Sequence, residues 1–377
     1  MIAPSAWVEI NTERLCYNLL EIRQIISSKT RLMAVVKANA YGHGMIEVAQ
    51  QAKKSGADML GVARIDEGIK LRKAGLDLPV LIFGFTHQSH ALKLIEYDLT
   101  QTVFSLQSAE ALSETAQAAG KKIRVHLKID TGMGRLGFWS DKIDRIVNEV
   151  ISTVGLEGLE IEGVYTHFAS ADWRNKDYTQ RQFDFFIDIL NRLELKGFQV
   201  PIRHAANSAA IIDLPETYLD MVRAGIMIYG LYPSGEVKKE RINLKPVMTL
   251  KTRVTHVKRV PAGFKVSYGS TYEAINPTTI ATVSIGYSDG LNRLLSSRGH
   301  MLLHGCKAPI AGRVCMDMTM LDTGNISDVM AGDEVVVFGE QGDESIAVDQ
   351  IAKITSTINY EVVTGIAGNL PRITNTN

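Results

Sequence analysis

Short apolar runs alternate with longer amphipathic stretches from about residue 30 to residue 230, and the short runs number eight. After Gly230 the composition turns to β-branched residues and turn signals. Together these observations predict an α/β fold, a (β/α)8 TIM-type barrel followed by a mainly β C-terminal domain. The expected barrel strands are 32–36, 59–63, 79–83, 100–104, 123–129, 161–167, 202–204 and 221–223. The intervening segments carry helical periodicity, clearest in 45–54 and 178–195. An open doubly wound sheet is the alternative, and the count of eight favours the barrel.

The segment LYPSGEVKK, with its proline, glycine and charges, reads as a connection. Beyond it, strands are expected at 248–260, 280–285, 301–303 and 334–338, broken by turns such as Pro261-Ala262-Gly263, Ser288-Asp289-Gly290 and Ala331-Gly332-Asp333. One helix, 348–355, interrupts them. The domains expected are therefore 1–240, the barrel, and 241–377, the β domain, with residues 1–11 available to pair with the second.

The chain has 377 residues, 45% of them apolar and 22% charged, and Lys+Arg equals Asp+Glu at 41 each. A formal net charge of zero supplies no field to attract nucleic acid or an anionic membrane, so small molecules are the expected partners. Cys16, Cys306 and Cys315 are odd in number and lack metal-ligand spacing. The amino-terminal sequence has no basic region leading into an apolar core, and no run approaches the length of a membrane span. A cytoplasmic protein is expected.

Several polar residues fall just after the ends of different barrel strands, on the rim where such folds gather their chemistry. Lys37 and Tyr41 follow the first strand in AVVKANAYGHG, and Lys128, Asp130 and Arg135 surround the end of the fifth in HLKIDTGMGRLG. His167 ends the sixth, His204, Asn207 and Ser208 follow the seventh, and Arg223 ends the eighth. Any one of these is more often a satisfied structural residue than a catalyst, but five loops agree. Barrels commonly bind phosphate at the seventh and eighth loops through backbone N–H groups, and Ser208, Gly225 and Ile226 are suitable donors there. A phosphate anchor, a lysine able to condense with an aldehyde and a converging arginine point to pyridoxal 5'-phosphate.

The motifs AVVKANAYGHG, KIDTGMGRLG, THFASAD, HAANSAA, VRAGIMIYG, VSYGSTY, IGYSDG and GRVCMDM, in that order along nearly the whole chain, resemble those of the alanine racemases. The resemblance implies a pyridoxal-phosphate barrel with a β domain, working as a head-to-tail homodimer whose active sites are shared between subunits. It implies that Lys37 holds the cofactor and is the base on one face of the substrate Cα, and that Tyr268 of the partner is the opposing base. Racemisation needs that opposition, because a proton removed from one face must be returned to the other. An ordinary phenol, titrating near ~10, is a poor base at neutral pH. The family supports it with a hydrogen-bond chain through His167 to Arg223.

The resemblance also places Arg223 on the cofactor's ring nitrogen, leaving that nitrogen largely unprotonated and the ring a weaker electron sink. Phosphate contacts are implied for Tyr41, Ser208, Gly225, Ile226 and Tyr360. Arg135 is implied to face the substrate carboxylate, with Lys128 matching a lysine often carbamylated in the family and holding Arg135. Met316 matches a partner residue whose N–H meets the substrate carboxylate, and Tyr287 matches a tyrosine at the mouth of the channel. Two departures stand out: Ala224 replaces a common proline, and Gly368-Asn369 stands where an arginine is expected before Leu-Pro-Arg.

Three functions compete. The first is alanine racemisation, serving D-alanine supply for peptidoglycan, with serine as a minor substrate because an apolar pocket rejects one hydroxyl poorly. The second is a related pyridoxal-phosphate decarboxylase or aldolase, against which an arginine on the ring nitrogen argues. The third is a non-catalytic carrier of the cofactor, which would lack the second domain.

Overall fold

The structure, a computed structural model, describes residues 4–375. The chain divides into two compact units, one of Leu15–Ala40 and Met45–Lys245, the other of the segment through Arg14, Tyr41–Gly44 and Pro246 onward. Strand β1 (Ala6–Asn11) belongs to the second unit.

The first unit is the barrel. Its strands are β2 (Arg31–Val35), β3 (Met59–Val62), β4 (Val80–Ile82), β5 (Thr100–Val103), β6 (Ile123–Lys128), β7 (Leu159–Tyr165), β8 (Arg203–His204) and β9 (Met221–Ala224). All neighbours are parallel, in the order β8-β7-β6-β5-β4-β3-β2-β9, so that Met33 pairs with Met59 on one side and Arg223 on the other. The seam between β8 and β9 is bridged by Asp220 N–H to the Arg203 carbonyl at 3.0 Å and Arg223 N–H to the Ala206 carbonyl at 3.1 Å. Met33, Met59, Leu81 and Met221 form a buried cluster against which Phe83 and Ile202 pack. Burying each such side chain contributes about 1.5–3 kcal/mol. Long helices follow the strands, among them Met45–Lys54, Leu106–Ala118, Ile143–Val154 and Asp177–Leu195. None among the described residues is long and apolar enough to cross a membrane.

The second unit is mainly β. Its strands are β10 (Met248–Val260), β11 (Lys265–Val266), β12 (Tyr272–Glu273), β13 (Thr278–Val283), β14 (His300–Leu303), β15 (Cys306–Pro309), β16 (Thr319–Asp322), β17 (Glu334–Gln341), β18 (Glu344–Ile346) and β19 (Arg372–Asn375). β10 is the spine, antiparallel to β1 and β17 along its first half and to β13 along its second, with a register shift between Val254 and His256 where it changes partner. β1 also pairs in parallel with β19; residues 1–3, part of the segment considered for such pairing, lie outside the described residues. The β11–β12 hairpin projects beside a small core of Val260, Val266, Ala274, Ile280 and Ala311.

Six of the eight barrel strands end one or two residues earlier than the apolar runs suggest, while β8 ends at His204 as expected and β9 runs one residue further, to Ala224. Val36 and Ile129 lie one residue past β2 and β6 yet remain fully buried, and each still donates its N–H to the neighbouring strand, to the Gly61 and Tyr165 carbonyls at 2.8 Å each. His167 consequently lies two residues beyond β7 rather than ending it. A second helix in the β unit, Asn359–Thr364, joins the expected Val348–Thr355 and carries Tyr360.

Candidate active site

The carboxyl end of β2 hands the chain to Lys37 through Val36, whose N–H is held by the Gly61 carbonyl at 2.8 Å. Ala38, Asn39, Ala40 and Tyr41 then all take left-handed backbone, with φ of 52, 53, 54 and 52°. Each non-glycine residue there costs roughly 1–2 kcal/mol, so the turn stores about 4–8 kcal/mol. Compensation comes from the Ala40 N–H to Val36 carbonyl bond at 2.9 Å and from Asn39 Oδ1, which accepts the Met45 N–H at 3.0 Å and starts the next helix. Strain of this size held next to a lysine fixes where that lysine emerges. Burial, then the charge of Arg135, push the Lys37 amine below its ordinary range, while Glu67 opposes them.

The loop after β6 closes on itself. Phe138 N–H returns to the Lys128 carbonyl at 2.8 Å, and Asp130 N–H meets the Phe138 carbonyl at 3.1 Å. Asp130 organises the interior: Oδ1 accepts the N–H groups of Gly132, Met133 and Gly134 at 2.9, 2.8 and 3.1 Å, and Oδ2 that of Arg135 at 3.0 Å. Burial alone would raise the Asp130 carboxyl, but N–H donation and the Lys128 charge hold it below the usual range. Gly137, at φ 141°, is obligatory, since a Cβ there would lie 2.3 Å from Asp130 N. Arg135 is thereby projected into solvent at the rim. Lys128 is buried, donates to the Leu136 carbonyl, and has its amine lowered to about 8 chiefly by burial, with Asp130 opposing.

Arg223, on β9, is buried and fully engaged at its two terminal nitrogens. One meets His204 Nδ1 at 2.9 Å; the other donates to the Thr166 and Ala205 carbonyls at 2.8 Å each and meets His167 Nδ1 at 3.3 Å. Its Nε makes no hydrogen bond among the described residues. Burial, then the Arg223 charge, holds both His167 and His204 well below the usual imidazole range, so both rings are neutral. Because a guanidinium only donates, Nδ1 of each ring must accept, which puts each ring proton on Nε2. His204 passes its proton on to His126 Nδ1 at 2.8 Å. Tyr165 stacks on His204 at 4.6 Å and lies 5.2 Å beneath the Arg223 guanidinium.

Ser208 and Gly225 meet beside this arginine, but not as two free donors. The Gly225 N–H donates to Ser208 Oγ at 2.9 Å, leaving the hydroxyl proton and the Ile226 N–H at the head of its turn as the groups to present. A hydroxyl and N–H donors for an anion, a lowered amine for an aldehyde and an uncommitted guanidinium N–H for a ring nitrogen form a donor set that suits pyridoxal phosphate.

In the second unit, three exposed residues stand on interlocked loops. Ser267, at φ 68°, donates its hydroxyl to the Arg313 carbonyl at 2.6 Å and presents Tyr268, which is 70% exposed. Tyr287 and Ser288 donate their N–H groups to the Cys315 and Met316 carbonyls at 3.0 Å each, and Gly286 is so close to Met316 that a Cβ would lie 2.1 Å from its carbonyl oxygen. Ser267 Oγ lies 3.6 Å from Cys315 Sγ, so the loops of Tyr268, Tyr287 and Met316 are neighbours, with Tyr287 42% and Met316 54% exposed. Elsewhere in the same unit Tyr41 lies 6.1 Å from Tyr360, ring to ring, and burial raises the Tyr41 hydroxyl.

Sequence reasoning missed two contributors. His126 is fully buried and hydrogen-bonded to His204, itself held by Arg223; its even spacing from Lys128 on β6 was the available signal. Arg372 grips the turn after Lys37 by donating to the Gly42 carbonyl at 3.1 Å while also holding those of Ala367 and Leu370 at 2.7 Å. The atypical tail is therefore anchored through its Leu-Pro-Arg segment. Cys315 is half-buried, 3.6 Å from Ser267 Oγ.

Two family models match the chain: the alanine racemase N-terminal domain over residues 10–233 and the alanine racemase C-terminal domain over residues 247–374. An alanine racemase of Desulfosudis oleivorans is 52% identical over 375 residues, covering 98% of this chain and 96% of that protein. One from Methanococcus maripaludis is 48% identical, covering 99% of each. Among solved structures, an alanine racemase of Clostridium difficile 630 superposes with a TM-score of 0.94 at 40% identity, covering 100% of this chain and 97% of that one.

Proposed function

Because the chain belongs to the alanine racemase family, we propose that it interconverts L- and D-alanine with two opposing acid–base groups, Lys37 Nζ on one face of Cα and Tyr268 of a second copy on the other. The observation that carries this reading is the buried cluster at the carboxyl ends of the strands, where Arg223 meets His204 Nδ1 at 2.9 Å and His167 Nδ1 at 3.3 Å and Lys37 follows β2, the strand paired with the β9 that carries Arg223.

Pyridoxal phosphate, when bound, supplies the electron sink that makes the Cα proton removable. Lys37 would hold it through Nζ, Arg223 Nε would meet its ring nitrogen, and Ser208, Ile226, Tyr41 and Tyr360 are assigned to its phosphate, with Gly225 holding the Ser208 hydroxyl through its N–H. A Lys37 amine lowered by burial is neutral over more of the working pH range, and only the neutral amine can take a proton. His167, with its proton on Nε2, has a donor to offer a tyrosine phenolate, which is what makes such a phenol usable as a base near neutral pH. Arg135 would pair with the substrate carboxylate, aided by the Met316 N–H of the second copy. The lowered Lys128 amine is suited to carbamylation, and the resulting anion would steady Arg135. Tyr360 would crowd a side chain longer than alanine's, making serine the minor substrate. Tyr287 would stand at the channel mouth. Supply of D-alanine for peptidoglycan in the cytoplasm, by a homodimer, completes the proposal.

The test is Cα exchange in heavy water with L-alanine and D-alanine, serine run alongside. The parent should invert and deuterate both alanines and release no carbon dioxide. Lys37→Ala and Tyr268→Phe should each be inactive alone, and mixed subunits should regain activity through one intact site per heterodimer. A Tyr268→Phe chain exchanging fully in both directions would overturn the two-base assignment. Cofactor binding without any change in alanine would favour the carrier reading.

A further inference from the structure

The left-handed turn after Lys37 begins at Ala38, and its first N–H is not held by any backbone carbonyl. It donates to the carboxylate of Glu67, at 2.6 Å to Oε1. Glu67 lies on the helix Ile65–Lys73 that follows the neighbouring strand β3, and it is the third residue of that helix. Its other oxygen, Oε2, accepts the N–H groups of Ala63 and Arg64 at 2.8 and 3.1 Å. One carboxylate therefore ties the start of its own helix to the residue next to Lys37, across two adjacent β-to-α connections. Three N–H donors on two oxygens need an acceptor-only group, which among these side chains only an ionised carboxylate supplies.

We propose that Glu67 is a positioning residue for Lys37, its carboxylate clamping the first N–H of the left-handed turn and placing a negative charge opposite the Lys37 amine. The proposal rests on Lys37 being the catalytic lysine. Its functional content follows from what a proton-shuttling base requires. Burial and the charge of Arg135 both drive the amine toward neutrality, and Glu67 counters them. His167, which feels the Lys37 charge, is held neutral and supplies no countercharge. A base with too little proton affinity cannot retain what it removes from Cα, so Glu67 keeps Lys37 basic enough to work in both directions.

The test uses the full chain without cofactor, so that Lys37 is read directly. Timed competitive acetylation with acetic anhydride between pH 6 and 11, followed by peptide mass spectrometry, gives a titration midpoint for each lysine. Glu67→Gln should lower the Lys37 midpoint by about one pH unit, the size of shift an opposite charge at close range produces. The midpoints of Lys29 and Lys121 should not move. Glu67→Asp keeps the charge but draws it back by one methylene, so a smaller fall is expected, and this variant decides the matter should the glutamine chain fail to fold. A capping role alone would lower the melting temperature while leaving the Lys37 midpoint where it is in the parent. That result, in whichever variant folds, would overturn the proposal. Borohydride reduction with pyridoxal phosphate, with mapping of the tagged lysine, tests the assignment of Lys37 separately; a tag elsewhere would sink the catalytic reading without altering the acetylation result.

Discussion

Replacing Asp130 with Asn asks whether the loop that carries Arg135 is held by charge. In the parent, Oδ1 accepts three backbone N–H groups and Oδ2 a fourth, all between 2.8 and 3.1 Å. Asparagine can keep the first three on its one oxygen, but its amide then points N–H against the Arg135 N–H. A hydrogen bond to a charged group contributes about 1.5–3 kcal/mol, against about 0.5–1.5 for a neutral one. Three weakened bonds and one lost one, sharing a single acceptor and so not additive, come to roughly 2–4 kcal/mol. For a domain of this size that is a fall of about 4–16 °C in melting temperature, read by calorimetry on the cofactor-free chain. The kinetic signature should be a rise in KM for alanine of about tenfold, with kcat changed less, because Arg135 would lose its fixed approach to the carboxylate. The pH dependence has a definite sign. A carboxylate held below its usual range stabilises the fold fully above its unfolded pKa near ~3.9 and loses that contribution only as pH falls through the folded value. The parent and variant should therefore differ equally at pH 8 and pH 5.5. A shift below about 2 °C with unchanged KM, or a difference already shrinking by pH 5.5, would refute the reasoning.

Burial holds His126 at about 3 and His204 well below the ordinary imidazole value, so acid protonates these groups in the unfolded chain first. Stability is full above ~6.5 and falls from there toward pH 3, by about 2 kcal/mol per histidine at pH 5. His126→Asn should make the fall between pH 7 and 5 shallower by that amount in urea titrations. Gly42→Ala forces a side chain at φ 85° to within 2.3 Å of the Val363 carbonyl oxygen and should remove at least ~2 kcal/mol, visible as a lower melting temperature. Tyr272 donates to Asp322, which also takes the Thr278 hydroxyl at 2.5 Å, and this anchors the hairpin that presents Tyr268. Tyr272→Phe should therefore cut kcat by ~10–100-fold while moving the melting temperature little; an unchanged kcat would show that the hairpin is held another way.

The barrel was legible because parallel strands buried on both faces must be written as apolar runs, and eight such runs with helical spacers leave few other arrangements. Lys37, Arg135 and Arg223 were legible for a related reason, since a polar residue just past such a run stands on the rim. The strand ends were not legible to the residue: Val36 and Ile129 lie just past β2 and β6 but are buried as fully as the strands themselves, and burial is what the sequence pattern reports. The left-handed run was also hidden, because Ala38 and Ala40 have no intrinsic preference for it and are held there by bonds formed with distant residues. Ser208 and Gly225 were correctly placed together, yet only the fold showed that one satisfies the other.

By itself the sequence determined the fold class, the rim on which the chemistry gathers and the residue types available there, since periodicity and motif order are properties of the chain. Tertiary structure alone decided protonation and aim. Burial, then the Arg223 charge, keeps His167 and His204 neutral, and Arg223 orients their protons, because all three are enclosed together from β9 and the turns after β7 and β8. Asp130 aims Arg135 because the loop between them folds back onto its carboxylate. Charges acquire their proton affinities from neighbours and from exclusion of water, and neither exists until the chain has closed around them.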